Sequence, residues 1–168
     1  MPGGILSSGT IYMGIELLKE NYFLPAILKS LSEAKTQILA SVYFCKYVRK
    51  RKTDPARKVI NQLIEKSKAG LDVKVIFHIG TIKRQIPGWN LFITQDLKQA
   101  GVQARMWKLK RILHSKLFVI DKKIVFLGSH NLSNTSLTES AELSMKYTSE
   151  EVALKAGAIF NEWWKQGV

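Results

Sequence analysis

Residues 114–131 run His114-Ser115-Lys116-Leu117-Phe118-Val119-Ile120-Asp121-Lys122-Lys123-Ile124-Val125-Phe126-Leu127-Gly128-Ser129-His130-Asn131. Two apolar runs, expected as strands over Leu113–Ile120 and Lys123–Leu127, flank a turn at Asp121-Lys122. So tight a connection permits only antiparallel pairing. Residues two apart on a strand share a face, so His114 and Lys116 put an imidazole and a fixed cation on one surface while Ser115 and Leu117 turn to the other. The return run carries Gly128, Ser129 and Asn131 back toward the end that holds His114. Lys116, Ser129 and Asn131 are side chains suited to non-bridging phosphate oxygens. A histidine, with an ordinary pKa of about 6.5, serves as nucleophile, base or acid. The spacing H-x-K-x4-D-x6-G-S-x-N fixes six positions. At roughly one chance in twenty per position, it arises by accident in a chain of this length on the order of a few times in a million. Such a cluster fits a phosphodiester.

The flanking sequence alternates short apolar strands with amphipathic helices. Upstream, Asn21–Lys35 spaces Phe23, Leu24, Ile27, Leu28 and Leu31 as a helical face, with Pro25 tolerated in the first turn. Ile38–Phe44 reads as a buried strand. Asp54-Pro55 opens a helix with Asp54 as cap, Pro55 in the first position and a face of Val59, Ile60, Leu63 and Ile64, stopped at Gly70. Val73–Ile79 is the next strand, Phe92–Ala100 a shorter helix ended by Gly101, and Val102–Trp107 another strand. Downstream, Ala141–Tyr147 alternates as a strand, and Thr148-Ser149-Glu150-Glu151 reads as a capping box for a last helix, Ser149–Gln166. Strands separated by helices, with one tight antiparallel return among them, predict an α/β/α sandwich around a mixed central sheet. With 168 residues, no repeat and no linker, the expectation is one domain over residues 1–168.

A composition of 46% hydrophobic and 23% charged residues excludes global disorder. The longest apolar runs, such as Ile38–Ala40 and Ile124–Leu127, fall far short of the roughly 20 residues a spanning helix needs, so no stable membrane insertion is expected. The opening Met1-Pro2-Gly3-Gly4-Ile5-Leu6 has neither the basic nor the apolar segment of a secretory signal, which sets the expected location as cytoplasmic. One cysteine, Cys45, and three scattered histidines, His78, His114 and His130, provide neither an internal disulfide nor a structural zinc site. Lys plus Arg number 26 against 13 Asp plus Glu, a net charge of +13. That excess favours a polyanionic partner, nucleic acid ahead of an anionic membrane.

The motif from His114 to Asn131 resembles the HKD signature of the phospholipase D superfamily and matches it at every fixed position. The resemblance extends to the amphipathic helix and buried strand over Ile27–Tyr43, and to Glu142, eleven residues past Asn131. It implies a phospholipase D-like fold and a phosphodiesterase that works through a covalent phosphohistidine, with a second histidine serving as acid and then base. One such site needs two motifs and this sequence holds one, since His78-Ile79-Gly80 lacks the lysine. The resemblance therefore implies a homodimer with one composite site. Carried over by residue, His114 is nucleophile in one chain and acid in the other, and Lys116 and Asn131 hold phosphate. Ser129 donates a supporting hydrogen bond and Glu142 orients the imidazole of His114. Asp121 and Gly128 are structural members of the motif, Asp121 through a turn hydrogen bond or salt bridge. Charge neutralisation comes from lysine and histidine, so neither a metal nor another cofactor is expected.

Basic residues flank the motif. Lys46, Arg49, Lys50, Arg51, Lys52, Arg57 and Lys58 follow the first buried strand, and Lys83-Arg84, Arg105, Lys108, Lys110 and Arg111 precede His114. Of these, Arg49, Lys110 and Arg111 are the expected substrate-binding groups of a basic groove. Ile86-Pro87-Gly88-Trp89 is a candidate mobile lip. His78, His130 and Cys45 read as structural, and Trp163-Trp164 as core or dimer contact. The leading expectation is a metal-independent endonuclease acting non-specifically on DNA or RNA. The alternative is a hydrolase of an anionic phospholipid such as cardiolipin.

Overall fold

A computed structural model describes residues 14–48, 50–79 and 86–168. Arg49 and the pair Lys83-Arg84 lie outside the described residues, as does the N-terminal segment before Gly14. The chain opens with strand β1 (Ile15–Lys19), a single 3-10 turn at Glu20–Tyr22 and helix α1 (Phe23–Glu33). Strand β2 (Gln37–Val42), the short β3 (Cys45–Lys46), helix α2 (Pro55–Lys68) and β4 (Asp72–His78) follow. Next come helix α3 (Ile86–Gln99), β5 (Gln103–Trp107), and the hairpin β6 (Lys116–Ile120) and β7 (Ile124–Gly128). The chain closes with the two-residue β8 (Leu132–Ser133), helix α4 (Asn134–Thr138), β9 (Leu143–Thr148) and helix α5 (Glu150–Gln166).

Seven strands form one sheet in the order β1-β9-β7-β6-β2-β4-β5, while β3 and β8 pair separately. β2, β4 and β5 run parallel, and β6 turns antiparallel against β2. The sheet is mixed, as the tight turn at Asp121 required. Alternation along each strand divides the core. Ile38, Ala40 and Val42 face one way and pack with Ile27 and Leu31 of α1, Val59 and Leu63 of α2, and Ile93 and Leu97 of α3. Leu39, Val119 and Val125 face the other way, against Ala153 and Phe160 of α5. This is the α/β/α sandwich expected from the pattern.

Local chemistry sets the helix ends. The Asp54 Oδ1 accepts the N–H groups of Ala56 and Arg57 at 3.0 and 3.2 Å, with Pro55 in the first helical position. Gly70 and Gly101 take φ +91° and +88°, where a side chain would be strained. At α5 the Ser149 hydroxyl accepts Val152 N–H at 3.3 Å. The third position thus holds valine and not an acid, so the expected capping box is only half formed. Trp89 belongs to the first turn of α3, which replaces the expected mobile lip over residues 86–89 with helix. β1, α4 and the β3–β8 pair were not expected. Among the described residues, no helix is long and apolar enough to cross a membrane.

Asp121 fixes the far end of the hairpin. It and Lys122 adopt φ +52° and +53°, a left-handed pair that short polar side chains such as aspartate tolerate best. Its carboxylate accepts the N–H groups of Lys35, Thr36 and Gln37 at 2.8, 2.8 and 3.0 Å, and the Thr36 hydroxyl at 2.9 Å. Partial burial pushes this carboxyl up, but the four donors together hold it below the ordinary range. These hydrogen bonds clamp the β6–β7 turn to the start of β2.

A lowered folded pKa contributes stability above the ordinary carboxylate value of about 3.9, and that contribution fades as pH falls through the folded value. Asp121→Asn, which turns an acceptor into an amide facing backbone donors, is expected to cost about 1.5–3 kcal/mol at pH 7 by urea unfolding. The gap to the wild type should close only below about pH 4. An equal loss at pH 3 and pH 7 would contradict the clamp.

Candidate active site

The register of the sheet brings the functional side chains to one rim. Val42, the last residue of β2, pairs with Lys116, the first of β6, and also with Phe77 near the end of β4. Gly128, the last of β7, pairs with Ser144 near the start of β9. The carboxyl ends of β2, β4 and β7 and the amino ends of β6 and β9 therefore open together, the edge at which α/β sheets place ligands.

His114 lies two residues ahead of β6, so the strand starts later than the expected Leu113. The ring of buried His78 takes up the Leu113 N–H at 3.4 Å and keeps that segment off the ladder. Lys116 Nζ nevertheless stands beside His114, 3.3 Å from each ring nitrogen, and donates to the His114 carbonyl at 3.0 Å. Tyr43, just beyond β2, covers both. Its ring centroid is 4.2 Å from that of His114 and 4.7 Å from Lys116 Nζ. The other side of this aromatic cluster is His78, stacked with Tyr43 at 5.4 Å. Burial and then the Lys116 cation hold the His114 imidazole below its ordinary value, which favours the neutral ring with a free lone pair. Burial also draws Lys116 down, against the opposing charge of Glu142.

Glu142 organises the opposite wall. Its carboxylate accepts hydrogen bonds from the hydroxyls of Ser129 and, at 2.6 Å, Ser136. Ser136 in turn accepts the Asn131 N–H at 2.8 Å. Three motif-derived groups, Ser129, Asn131 and Glu142, are thus joined through a serine that sequence reasoning missed. The Asn131 side chain keeps a buried Oδ1 without a hydrogen-bond partner, a polar group left unspent at the site. Gly128 is required here: a Cβ would collide with the Ser144 hydroxyl and Cα. His130 points inward and is a strut, stacked on Phe23 at 4.5 Å, with its ring nitrogens 2.7 Å from Ser144 Oγ and 2.9 Å from the Glu20 carbonyl.

One expected contact does not form within a chain. Both oxygens of Glu142 are taken by serines, and no hydrogen bond joins it to His114 of the same chain. Of the expected groove, Lys110 and Arg111 are exposed in the loop that leads to His114. Arg111 sits 5.6 Å from the Trp107 ring centroid. Cys45 is fully buried, and burial followed by the Asp54 charge pushes its thiol up, which leaves it a packed hydrophobe. Trp164 packs against Phe160 and beneath Arg105. Tyr43 and His78 were legible only as strand-end residues; the signal that marks them is their place at the carboxyl ends of neighbouring parallel strands. Among the described residues, no three histidine, cysteine or carboxylate groups gather as a metal ion would require.

Residues 27–164 match the family model described as "Cardiolipin synthase, PLD-like domain". The chain belongs to the phospholipase D superfamily. Members of this superfamily act on phosphodiesters. The chain is 29% identical over 115 residues to the virion nicking-joining enzyme of Monkeypox virus, an alignment that covers 66% of this chain and 26% of the viral protein. It is 34% identical over 86 residues to the 5'-3' exonuclease PLD3 of Rattus norvegicus, covering 48% of this chain and 18% of that protein. The chain therefore spans about a quarter or less of the length of these relatives. In fold it is similar to the crystal structure of Nuc, a phospholipase D family member from Salmonella typhimurium, with a TM-score of 0.74 and 18% identity over 92% of this chain and 95% of that one.

The Lys116 cation beside His114 gives a signed expectation for the superfamily histidine. Lys116→Met should raise the NMR titration midpoint of the His114 ring toward the ordinary imidazole value, because a neighbouring positive charge is removed. An unchanged or lowered midpoint would mean that Lys116 does not stand against the ring in solution.

Proposed function

We propose that this chain is a metal-independent nuclease that cleaves DNA or RNA through a phosphohistidine, at a site completed by two chains of a homodimer. The observation that carries the reading is the Lys116 ammonium 3.3 Å from both nitrogens of the His114 ring, which packs against Tyr43. A ring nitrogen of His114 attacks phosphorus, the bond to the leaving oxygen breaks, and the His114 of the second chain, protonated from solvent once the phosphate anion beside it favours the charged ring, gives that oxygen its proton. Water then attacks phosphorus, the second imidazole takes a proton from it, and the N–P bond breaks to restore the first ring. Lys116 offsets the charge on the phosphoryl oxygens, and the Asn131 side chain donates to them through its Nδ2. Glu142 does not reach His114 of its own chain, so in this reading it orients His114 of the second chain.

A sheet row supports the second copy. Leu117, Leu127, Met145 and Leu17 follow one another in register across β6, β7, β9 and β1. Leu117 is buried at 4% exposure, Met145 is half-buried, and Leu127 and Leu17 are exposed at 42% and 62%. Leu143, beside Glu142, is exposed as well. This apolar strip borders the rim that holds Ser129 and Glu142, where a second chain would complete the site. The net charge of +13 and the names of the nuclease relatives support nucleic acid as substrate. The family model's description favours one other reading, a phospholipid such as cardiolipin.

Wild-type protein incubated with supercoiled plasmid and single-stranded oligonucleotide in excess EDTA is expected to cut both. His114→Ala should lose about 10⁴-fold or more in rate. Turnover retained by His114→Ala would remove the mechanism. Cleavage of cardiolipin vesicles in place of nucleic acid would transfer the site to the lipid reading.

A further inference from the structure

Asn90 is completely buried in the first turns of α3. Its Oδ1 accepts the Cys45 N–H at 2.8 Å, and its Nδ2 donates to the carbonyls of Tyr43 and His78 at 2.7 and 2.6 Å. One carboxamide thus fastens the start of α3 to the end of β2, the end of β4 and the start of β3. Tyr43 and His78 are the aromatic groups packed around His114. The residue next to Asn90 is Trp89, and it takes no part in the core. Its indole is 44% exposed, and Lys46 Nζ lies over the ring at 5.1 Å from the centroid. Phe92, one helical turn further, is 48% exposed. The turn after Lys46 adds the exposed cations Lys50, Arg51 and Lys52.

An exposed indole is costly in water, and here the buried hydrogen bonds of the next residue, Asn90, tie its stretch of backbone to Tyr43 and His78, with an ammonium over the indole face. That combination fits neither a core residue nor a bare electrostatic groove. An aromatic plane beside a line of cations is how proteins hold single strands, with unpaired bases stacked on the ring and the backbone drawn to the charges. In a duplex the bases are already stacked on one another and present no free face. We infer that Trp89, with Lys46, is a base-stacking subsite that holds an unpaired nucleobase next to the phosphate at His114. The enzyme therefore prefers single-stranded nucleic acid over duplex. The inference rests on the nuclease reading and names its substrate class.

The test uses the full chain, with Trp89→Ala and Trp89→Phe, against a fluorescent oligothymidylate, an abasic oligonucleotide of the same length and a duplex. Trp89→Ala should weaken binding to oligothymidylate by roughly 5- to 150-fold, the value of one base–aromatic stack. It should leave the abasic strand and the duplex within about twofold, and Trp89→Phe should recover most of the loss. Hydrolysis of bis(p-nitrophenyl) phosphate, which needs only the reacting centre, should be unchanged in both variants; it also reports that each is folded. Equal losses on the abasic and base-bearing strands would overturn the subsite, as would no loss on either. So would a loss confined to binding of anionic phospholipid vesicles, which would make Trp89 a membrane contact. Wild-type protein that hydrolyses bis(p-nitrophenyl) phosphate but cuts no nucleic acid would instead overturn the nuclease reading on which the subsite rests.

Discussion

The pairing of β6 against β2 is the constraint on which the site depends. Because side chains alternate along a strand, a slip of one residue would send Lys116 to the opposite face of the sheet and exchange the two halves of the core. Two features hold the register at opposite ends. At one end the Asp121 carboxylate collects the N–H groups of residues 35–37, the entry to β2. At the other, Val42 pairs with Lys116 and delivers Tyr43 over the His114 ring. A turn on the far side of the molecule thereby places a cation beside an imidazole, which explains why an aspartate that touches no reacting atom belongs to the motif.

The second wall is built by a different means. Beyond the β7–β9 pairing, serine hydroxyls link its parts. Ser129 and Ser136 saturate Glu142, and Ser136 also takes the Asn131 backbone. The close approach of β7 to β9, open only to glycine at position 128, sets Ser129 against Leu143 and Glu142. His130 braces this wall from beneath through Ser144 and Glu20. One chain thus presents a neutral imidazole with its cation on one side and a carboxylate held away from that imidazole on the other. In the proposed reading the two halves meet across a pair of chains.

Much of this was legible in residues 114–131. The hairpin follows from the two apolar runs and their short connection, while the left-handed geometry of its turn and the contact of Lys116 with a His114 that lies ahead of the strand are set by tertiary structure. Elements with a clear period were also readable, α2 above all, where Asp54, Pro55 and a regular apolar face agree. What escaped was short or set by tertiary contacts. β1 is five residues at the sheet edge and α4 five residues of mostly polar sequence, too brief for a periodic signal. The glycine and aromatic residues of 86–89 suggest a mobile lip, whereas the buried bonds of Asn90, invisible in sequence, hold this stretch as the start of α3. Tyr43 and Ser136 entered the site because the sheet and a capping turn carry them there, and no local pattern announces either. Glu142 has serines as partners rather than His114 of its own chain, contacts that no local pattern announces.

The central claim is that His114 is the nucleophile of a site shared by two chains. Its most direct measurement is intact-protein mass spectrometry of wild-type protein mixed with excess single-stranded oligonucleotide and quenched in base, which preserves a phosphohistidine. The account predicts a nucleotide adduct that maps to His114 and saturates at one per two chains. Turnover with no adduct, or saturation at one adduct in every chain, would contradict it.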